Sequence, residues 1–316
     1  MPTRAPGPVA VTSAPRRRTA RIAVPYAFLT PAIVMFTAFL LVPIGYTAYL
    51  SLRRVQVSGL GLGRGARREV FAGLANYRSA LTDPELWHGV LRVLGYGAIL
   101  LPTMLGLALL FALILDSPRA RLRRFSRISI FLPYAVPVVL ASLLWGFLYL
   151  PSVSPGQYVL RKLSLPHPDL LGPDLIVYSI ANIGIWGGVG FNMLVIYTAL
   201  QAIPREIHES ARVDGCSELQ IALRIKIPMV TPALIMTMIF SMIATFQVFS
   251  EPTTLRPMTN ALSTSWSPLM KIYRDAFARD DRYSAAATSM VIALFTLVLS
   301  YGFLRLVQKR AFGAEQ

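Results

Sequence analysis

Six stretches of the chain run for more than twenty residues without a charged side chain. They cover residues 22–52, 93–115, 128–160, 175–204, 227–250 and 283–304. The hydrocarbon core of a bilayer is about 30 Å thick, so a helix needs about 20 apolar residues to cross it. Each stretch meets that length. Trimming them at prolines and polar residues predicts helices near 26–50, 90–115, 128–150, 175–199, 229–250 and 284–307. The apolar runs are continuous rather than alternating, which selects helices over a transmembrane barrel. The predicted class is an all-α membrane protein with six transmembrane helices, its membrane domain spanning 25–308.

The first stretch follows Arg16, Arg17 and Arg18, as the apolar segment of a secretory signal would. Such a segment has only about 7–15 residues; this one is twice as long and reads as a retained span. Residues 1–24, rich in Pro, Ala and Arg, lack the apolar content for a core and are expected to form a loose cytoplasmic tail. Residues 309–316 are expected to form a second.

Composition supports the membrane reading. Of 316 residues 54% are apolar and 15% charged, against about a quarter charged in soluble domains. The 31 Lys and Arg exceed the 15 Asp and Glu, for a net charge of +16. A basic balance raises nucleic acid as a partner, but here the basic residues flank apolar runs, the pattern of cytoplasmic loops. Arg119, Arg121, Arg123, Arg124 and Arg127 form the tightest cluster. With both termini cytoplasmic, the inner segments are the richer in basic residues, although Arg53, Arg54, Arg64, Arg67 and Arg68 on the outer side dilute the bias.

Catalytic chemistry is sparse. Cys216 is a single cysteine, and His88, His167 and His208 are scattered without zinc spacing, so no metal site is expected. Gly59-Leu-Gly-Leu-Gly-Arg-Gly65 is glycine-rich, but it lacks the Lys-Ser/Thr of a phosphate loop and opens no helix. No intramembrane carboxylate pair or ladder of charges suggests proteolysis or proton coupling. The chain carries no engine of its own.

The segment 203–228 between the fourth and fifth spans differs from the other loops. Pro204 suits a first helical position, and Glu206 the positive end of a helix. Asp214-Gly215 is a stop signal, with Gly free to turn left-handed. Ser217 and Gln220 have the spacing of a capping box, and Pro228 marks the entry to the fifth span. Two short helices with a bend follow. Ile207 and Ala211 share one face, an apolar stripe that suggests docking to a soluble partner.

This segment resembles the cytoplasmic EAA loop of ABC-importer membrane subunits, whose pattern is E-A-A, three residues, G, nine residues, I-x-L-P. Glu209-Ser-Ala211, Gly215 and Ile225-Lys-Ile-Pro228 fall in register, with Ser210 and Ile227 as departures. Phe71-Ala-Gly-Leu-Ala-Asn-Tyr77 with Leu86-Trp87 is similar to the F-x-G-L-x-N-Y segment of the first of two membrane subunits in maltose/glycerol-phosphate-type carbohydrate permeases. Phe131-Leu-Pro133, Trp186-Gly-Gly-Val-Gly-Phe191, Phe249-Ser-Glu-Pro252, Ser267-Pro268 and Tyr273-Arg-Asp-Ala-Phe277 extend the resemblance over most of 25–308.

The resemblance implies a type I ABC importer permease in a bacterial-type inner membrane. Its implied partners are a second homologous permease, two ATPase subunits carrying ATP and Mg, and an extracytoplasmic solute-binding protein. The cargo it implies is a di- or oligosaccharide; glycerol phosphate, a polyol or a peptide, or a non-transporting scaffold, are the alternatives. Coupling to the ATPase falls to Glu209, Ser210, Ala211, Asp214, Gly215, Leu219 and Pro228, with Glu209 as charged contact, Ala211 and Leu219 as packing surface and Gly215 as bend. A helix-dipole role or pairing with Arg212 is the alternative for Glu209. For the solute path, neutral polar and aromatic side chains suit an uncharged sugar: Tyr178, Asn182, Trp186 and Asn192 on the fourth span, Phe246 and Gln247 on the fifth. Interhelical hydrogen bonding is the alternative for the amides, and Trp145 and Tyr149 read as interface-belt residues. Replacing Gly215 by Pro is expected to uncouple ATP hydrolysis from uptake. Normal transport by an intact complex carrying that variant overturns the coupling role of this loop.

Overall fold

A computed structural model describes residues 28–57, 67–118, 120–166 and 168–311. The expected tail 1–24, the glycine-rich Gly59–Gly65 run, Arg119, His167 and residues 312–316 lie outside the described residues. The chain divides into two units, residues 1–49 and 50–316.

Most of the described chain is helical. Five helices are long and apolar enough to cross a membrane, and six when one bent pair is counted as a single span. The first is α1 (Phe28–Ser51). Pro43 lies within it and lacks the amide hydrogen the helix needs. A π turn at Thr37–Leu41 immediately precedes it, with the Val42 amide donating to the Thr37 carbonyl. The wider turn makes room for the ring.

A short antiparallel hairpin follows, β1 (Arg53–Val57) and β2 (Arg67–Phe71), with Arg53 opposite Phe71 and Val57 opposite Arg67. It is the one departure from an all-helical chain among the described residues. The Phe71–Tyr77 motif anchors it. Asn76 Nδ2 on α2 (Ala75–Thr82) donates to the Ser51 and Arg53 carbonyls at 2.8 and 2.6 Å, and the Tyr77 hydroxyl bonds Ser51 Oγ at 2.6 Å.

The core of the second unit is the pair α3 (Pro84–Asp116) and α7 (Ile176–Gln201). Asp83 caps α3 through the Glu85 amide, and Pro84 takes the first turn, where a missing donor costs nothing. Small residues let membrane helices approach closely. A Cβ at Gly184 would lie 2.5 Å from Leu100 Cδ1, and one at Gly188 2.5 Å from Met104 Sδ. At Gly190 it would strike the backbone of Ile130 and Phe131. Two buried clusters fill the interior. One surrounds Tyr96, Leu100, Ile180 and Phe246; the other joins Met104, Ala108, Met193, Ile196 and Val230 towards the 203–228 loop.

The third predicted span, 128–150, is not one straight helix. It is α4 (Arg123–Phe131), a 3₁₀ turn at Leu132–Ala135, and α5 (Val138–Tyr149), with a bend of 96° between the two helical arms. Pro133 and Pro137 are the cause, because each removes a helical donor and restricts the residue before it. The 12 residues of α5 rise only about 18 Å. The segment after α5 holds α6 (Pro155–Lys162).

The 203–228 loop departs from expectation in its second half. α8 (Arg205–Val213) is separate, but the helix opened by α9 (Glu218–Ile221) does not end before Pro228. It continues through a π turn at Ala222–Lys226 into α10 (Ile227–Phe246). The Ile227 amide reaches back to the Ala222 carbonyl, the same accommodation of proline as in α1. What reads as a second loop helix is therefore the first part of the fifth span. Beyond α10 come α11 (Ser250–Leu255), α12 (Pro268–Tyr273) with a π turn at Arg274–Ala278, and α13 (Arg282–Ala311).

At the end of the unit opposite the loop, an ion network ties α12 to the start of α3. Lys271 Nζ lies 2.6 Å from Asp275 and 2.9 Å from Asp83, with only 5% of its side chain exposed. Arg274 bridges Asp275 at 2.9 Å and Glu85 at 2.6 Å. Burial pushes the Asp83 carboxyl up, but hydrogen bonds from Lys271 and the Glu85 amide, with the charges of Lys271 and Arg274, outweigh it and hold it below its ordinary value. Burial likewise pushes Lys271 down, and its two carboxylate partners outweigh that and raise it. The lowered aspartate stabilises the fold above its unfolded value and loses that effect as pH falls through the lowered one. The raised lysine stabilises below its unfolded value and fails only at strongly alkaline pH. Thermal stability in detergent is therefore expected to be level between about pH 5 and pH 9 and to fall below about pH 4. Asp83→Asn should lower the neutral plateau and flatten the acid limb; an unchanged acid limb would count against the network.

Candidate functional site

Two regions concentrate polar chemistry beside apolar helices: the elbow around α8, and a cavity between α3, α7 and α10. The elbow's local geometry follows its residues. Asp214 ends α8, and Gly215 takes φ +81°, a left-handed conformation suited to glycine. Its amide donates to the Arg212 carbonyl and the Cys216 amide to the Ala211 carbonyl, both at 3.0 Å, which closes the helix by the double bond of a Schellman turn. The capping box is complete: the Ser217 amide donates to Gln220 Oε1 at 2.8 Å and the Gln220 amide to Ser217 Oγ at 3.3 Å. Arg212 pairs with Glu218 at 2.8 Å, so the bend is clasped across its two arms.

The apolar stripe expected to lie open is covered by the chain itself. Ala211 is only 6% exposed, and Ile207 packs on the buried cluster beneath α8. Ala211 therefore faces inward, because the ends of α3, α7 and α10 lie under this side of the helix. The open apolar surface of the elbow consists instead of Val213, Leu219 and Leu223, at 88%, 68% and 56% exposure. Glu209 and Ser210 are exposed; Ser210 bonds the Ile207 carbonyl, and Glu209 makes no ion pair among the described residues. Its alternative partner, Arg212, is engaged by Glu218. Pro228 sits inside the continuous helix, just past the π turn.

The elbow is fastened by a contact that the sequence reading missed. Lys226, in the π turn, places Nζ 2.6 Å from Asp116 Oδ2 at the end of α3, and Gln201 at the end of α7 donates to Asp116 Oδ1 at 2.6 Å. The Lys226 and Asp116 side chains are 7% and 9% exposed. Both had served only to mark the ends of apolar runs. The signal was their position, flush with an apolar helix end, where an unpaired charge is costly. A polar recess of about 320 Å³ adjoins this clasp, lined by Arg123, Arg205, His208 and Glu209 among others.

The larger cavity, about 510 Å³, lies in the apolar part of the second unit. Of the six residues expected on a solute path, Asn192 and Gln247 line it. Asn192 donates to the Gly188 carbonyl at 2.9 Å and accepts from Ser241 Oγ at 3.4 Å. Asn182 donates at 2.8 Å to the Tyr149 hydroxyl, which itself donates to the Ser179 carbonyl at 3.1 Å. Trp186 packs edge-to-face on Trp145, which leans on Tyr149. Asn182 and Trp186 thus belong to a brace between α5 and α7. Tyr149, 5% exposed, is part of that brace rather than of an interface belt, because its hydroxyl is consumed by two interior partners. Phe246 is buried edge-to-face against Phe295, and Tyr178 is exposed.

Sequence reasoning missed most of the lining. Thr237, Ser241 and Thr245 contribute a row of hydroxyls, and their spacing of four puts them on one helical face; that spacing was the available signal. Tyr134 and Phe191 stack at 4.9 Å along the wall. Tyr134 comes from the 3₁₀ turn created by the 96° bend, which a straight span would not have placed there. Among the described residues no group of three or more His, Cys, Asp or Glu could hold a metal ion.

Apolar helices around a mostly apolar cavity that carries a few amide and hydroxyl groups, with a capped elbow fastened at one end, fit a membrane permease. The chain belongs to the family of binding-protein-dependent transport system inner membrane components, which it matches over residues 104–312. It is a multi-pass inner-membrane subunit of an ABC importer. Among curated relatives, the sn-glycerol-3-phosphate transport system permease protein UgpA of Brucella abortus biovar 1 (strain 9-941) is 27% identical over 290 residues, covering 90% of this chain and 95% of the relative. The protein of that name from Escherichia coli (strain UTI89 / UPEC) is 25% identical, covering 90% and 94%. A bacterial alginate ABC transporter, solved in complex with an alginate pentasaccharide-bound periplasmic protein, shares the fold, with a TM-score of 0.78, 20% identity and coverage of 92% and 96%.

Breaking a buried ion pair from one side strands the other charge and costs about 3–5 kcal/mol. Asp116→Ala is expected to lower the thermal midpoint of the purified protein sharply, and the double variant Asp116→Ala/Lys226→Met to recover most of the loss. Equal losses in the single and double variants would show that the clasp is not the cause.

Proposed function

We propose that this chain forms, with a second homologous permease, the translocation path of an ATP-driven importer for a saccharide delivered by an extracytoplasmic binding protein. Two ATPase subunits grip the elbows of the two permeases from the cytoplasm, and both termini of this chain lie on that side. The observation that carries the reading is the elbow itself. Its outer surface presents Val213, Leu219 and Leu223 beside Glu209, which has no ion pair among the described residues, while its base is locked to the helices that line the cavity. A partner holding that surface moves the start of the α9–α10 helix, and with it the hydroxyl row of the cavity. ATP-driven closure of the ATPase pair thereby tips the cavity from one side of the membrane to the other.

The saccharide reading is supported by hydroxyl and amide groups beside stacked rings, the groups that meet both the edges and the faces of sugar rings. The named cargoes of the relatives, glycerol phosphate and alginate, carry hydroxyl groups as a sugar does.

Val213→Asp/Leu219→Asp is expected to release the ATPase subunits during purification of the complex and to reduce uptake by about tenfold or more, the effect of removing central apolar anchors. Retention of the ATPase with normal uptake would overturn the docking surface.

A further inference from the structure

The cavity carries an asymmetry of charge. Its lining contains one carboxylate, Glu251, and among the described residues no lysine, arginine or histidine. A second cavity of about 380 Å³ shares Tyr134, Val138, Gly184, Gly188 and Glu251 with the first. Glu251 thus stands where the two meet. Lys226 is engaged at the elbow and Lys271 and Arg274 at the opposite end, and Glu251 makes no ion pair among the described residues. A carboxylate among apolar helices is costly and is kept where it meets water or a solute. In its ionised form, its field in a cavity walled by low-dielectric side chains is weakly screened, so it repels anions and gathers cations.

From this we propose that Glu251 sets the charge selectivity of the path: the cargo is an uncharged or amine-bearing saccharide, and phosphorylated or carboxylated saccharides are held back. The proposal rests on the reading of the cavity as the solute path. It also separates this chain from the cargoes named for its relatives, both of which are anionic.

The test does not require the cargo to be known. Ala244 lines the same cavity and is exposed. In the assembled complex, Cys216→Ser removes the native thiol and Ala244→Cys introduces one in the cavity. Methanethiosulfonate reagents bearing an ammonium, a sulfonate or no charge then probe it, each rate normalised to that with a free thiol in solution. The ammonium reagent is expected to react at least about tenfold faster than the sulfonate. Glu251→Gln should bring that ratio close to one, and Glu251→Asp should preserve the preference. A normalised ratio near one with Glu251 in place, or a ratio unchanged by Glu251→Gln, overturns the proposal. The underlying reading is judged separately, by whether labelling at position 244 blocks binding-protein-stimulated ATP hydrolysis and uptake. If charge preference is present but labelling leaves transport intact, Glu251 selects charge in a cavity that is not the path, and the path reading alone fails.

Discussion

The contact between Asp116 and Lys226 joins the two parts of the molecule on which its function depends. It brings together residues 110 positions apart in sequence, and Gln201 completes it from a third helix. Desolvating two charges is expensive, and their attraction repays the cost when geometry is good and the remaining lone pairs are met. Here one carboxylate oxygen takes the ammonium and the other the amide. The ends of α3 and α7 are thereby held against the π turn that leads into α10. The elbow already runs unbroken into α10, and this fastening ties it to α3 and α7 as well. With it, displacement of the elbow becomes displacement of the helices.

The motifs that identify the family do mostly structural work around this framework. Asn76 and Tyr77 hold the hairpin to the end of α1. Gly190 admits the backbone of Ile130 and Phe131 against α7. Ser267 caps α12 and also donates to the Val248 carbonyl. Arg274 and Asp275 fasten α12 to the start of α3. The lining of the cavity takes Gly188, Phe191, Phe249 and Glu251 from those motifs and much of the rest from hydroxyls at helical spacing and an aromatic ring brought in by a bend. A permease can keep such a frame and vary its lining, which fits a chain only 27% identical to a relative whose length it almost wholly covers.

What could be read from the chain alone divides along physical lines. The spans were legible because a bilayer imposes a length on apolar runs, and the elbow's caps because capping is settled within a few residues: Gly215, Ser217 and Gln220 behave as their local chemistry dictates. The course of 128–150 was misread because apolar content carries no direction; Pro133 and Pro137 held the information. The fate of Ile207 and Ala211 was not legible, since whether a stripe is open depends on what packs beneath it. Of the expected path residues Asn192 and Gln247 reach the cavity, whereas Asn182 and Trp186 are taken up by neighbours such as Tyr149 that no spacing rule connects to them. Asp116 and Lys226 were visible as charges, but their pairing is a property of the folded chain.

The unbroken passage from α9 into α10 has a mechanical consequence. Had Pro228 ended one helix and begun another, a push on the elbow would have been spent flexing a joint. The π turn spares that joint, and the helix runs on from Glu218 to Phe246 as an arm of about 43 Å with Pro232 in its course. Swinging such an arm through about ten degrees carries its far end through about 7 Å, more than the width of a water molecule and comparable to a sugar ring. Ser241 and Thr245 lie near that far end, so under the proposed coupling a small angular stroke at the elbow is geared up into a change of bore in the cavity.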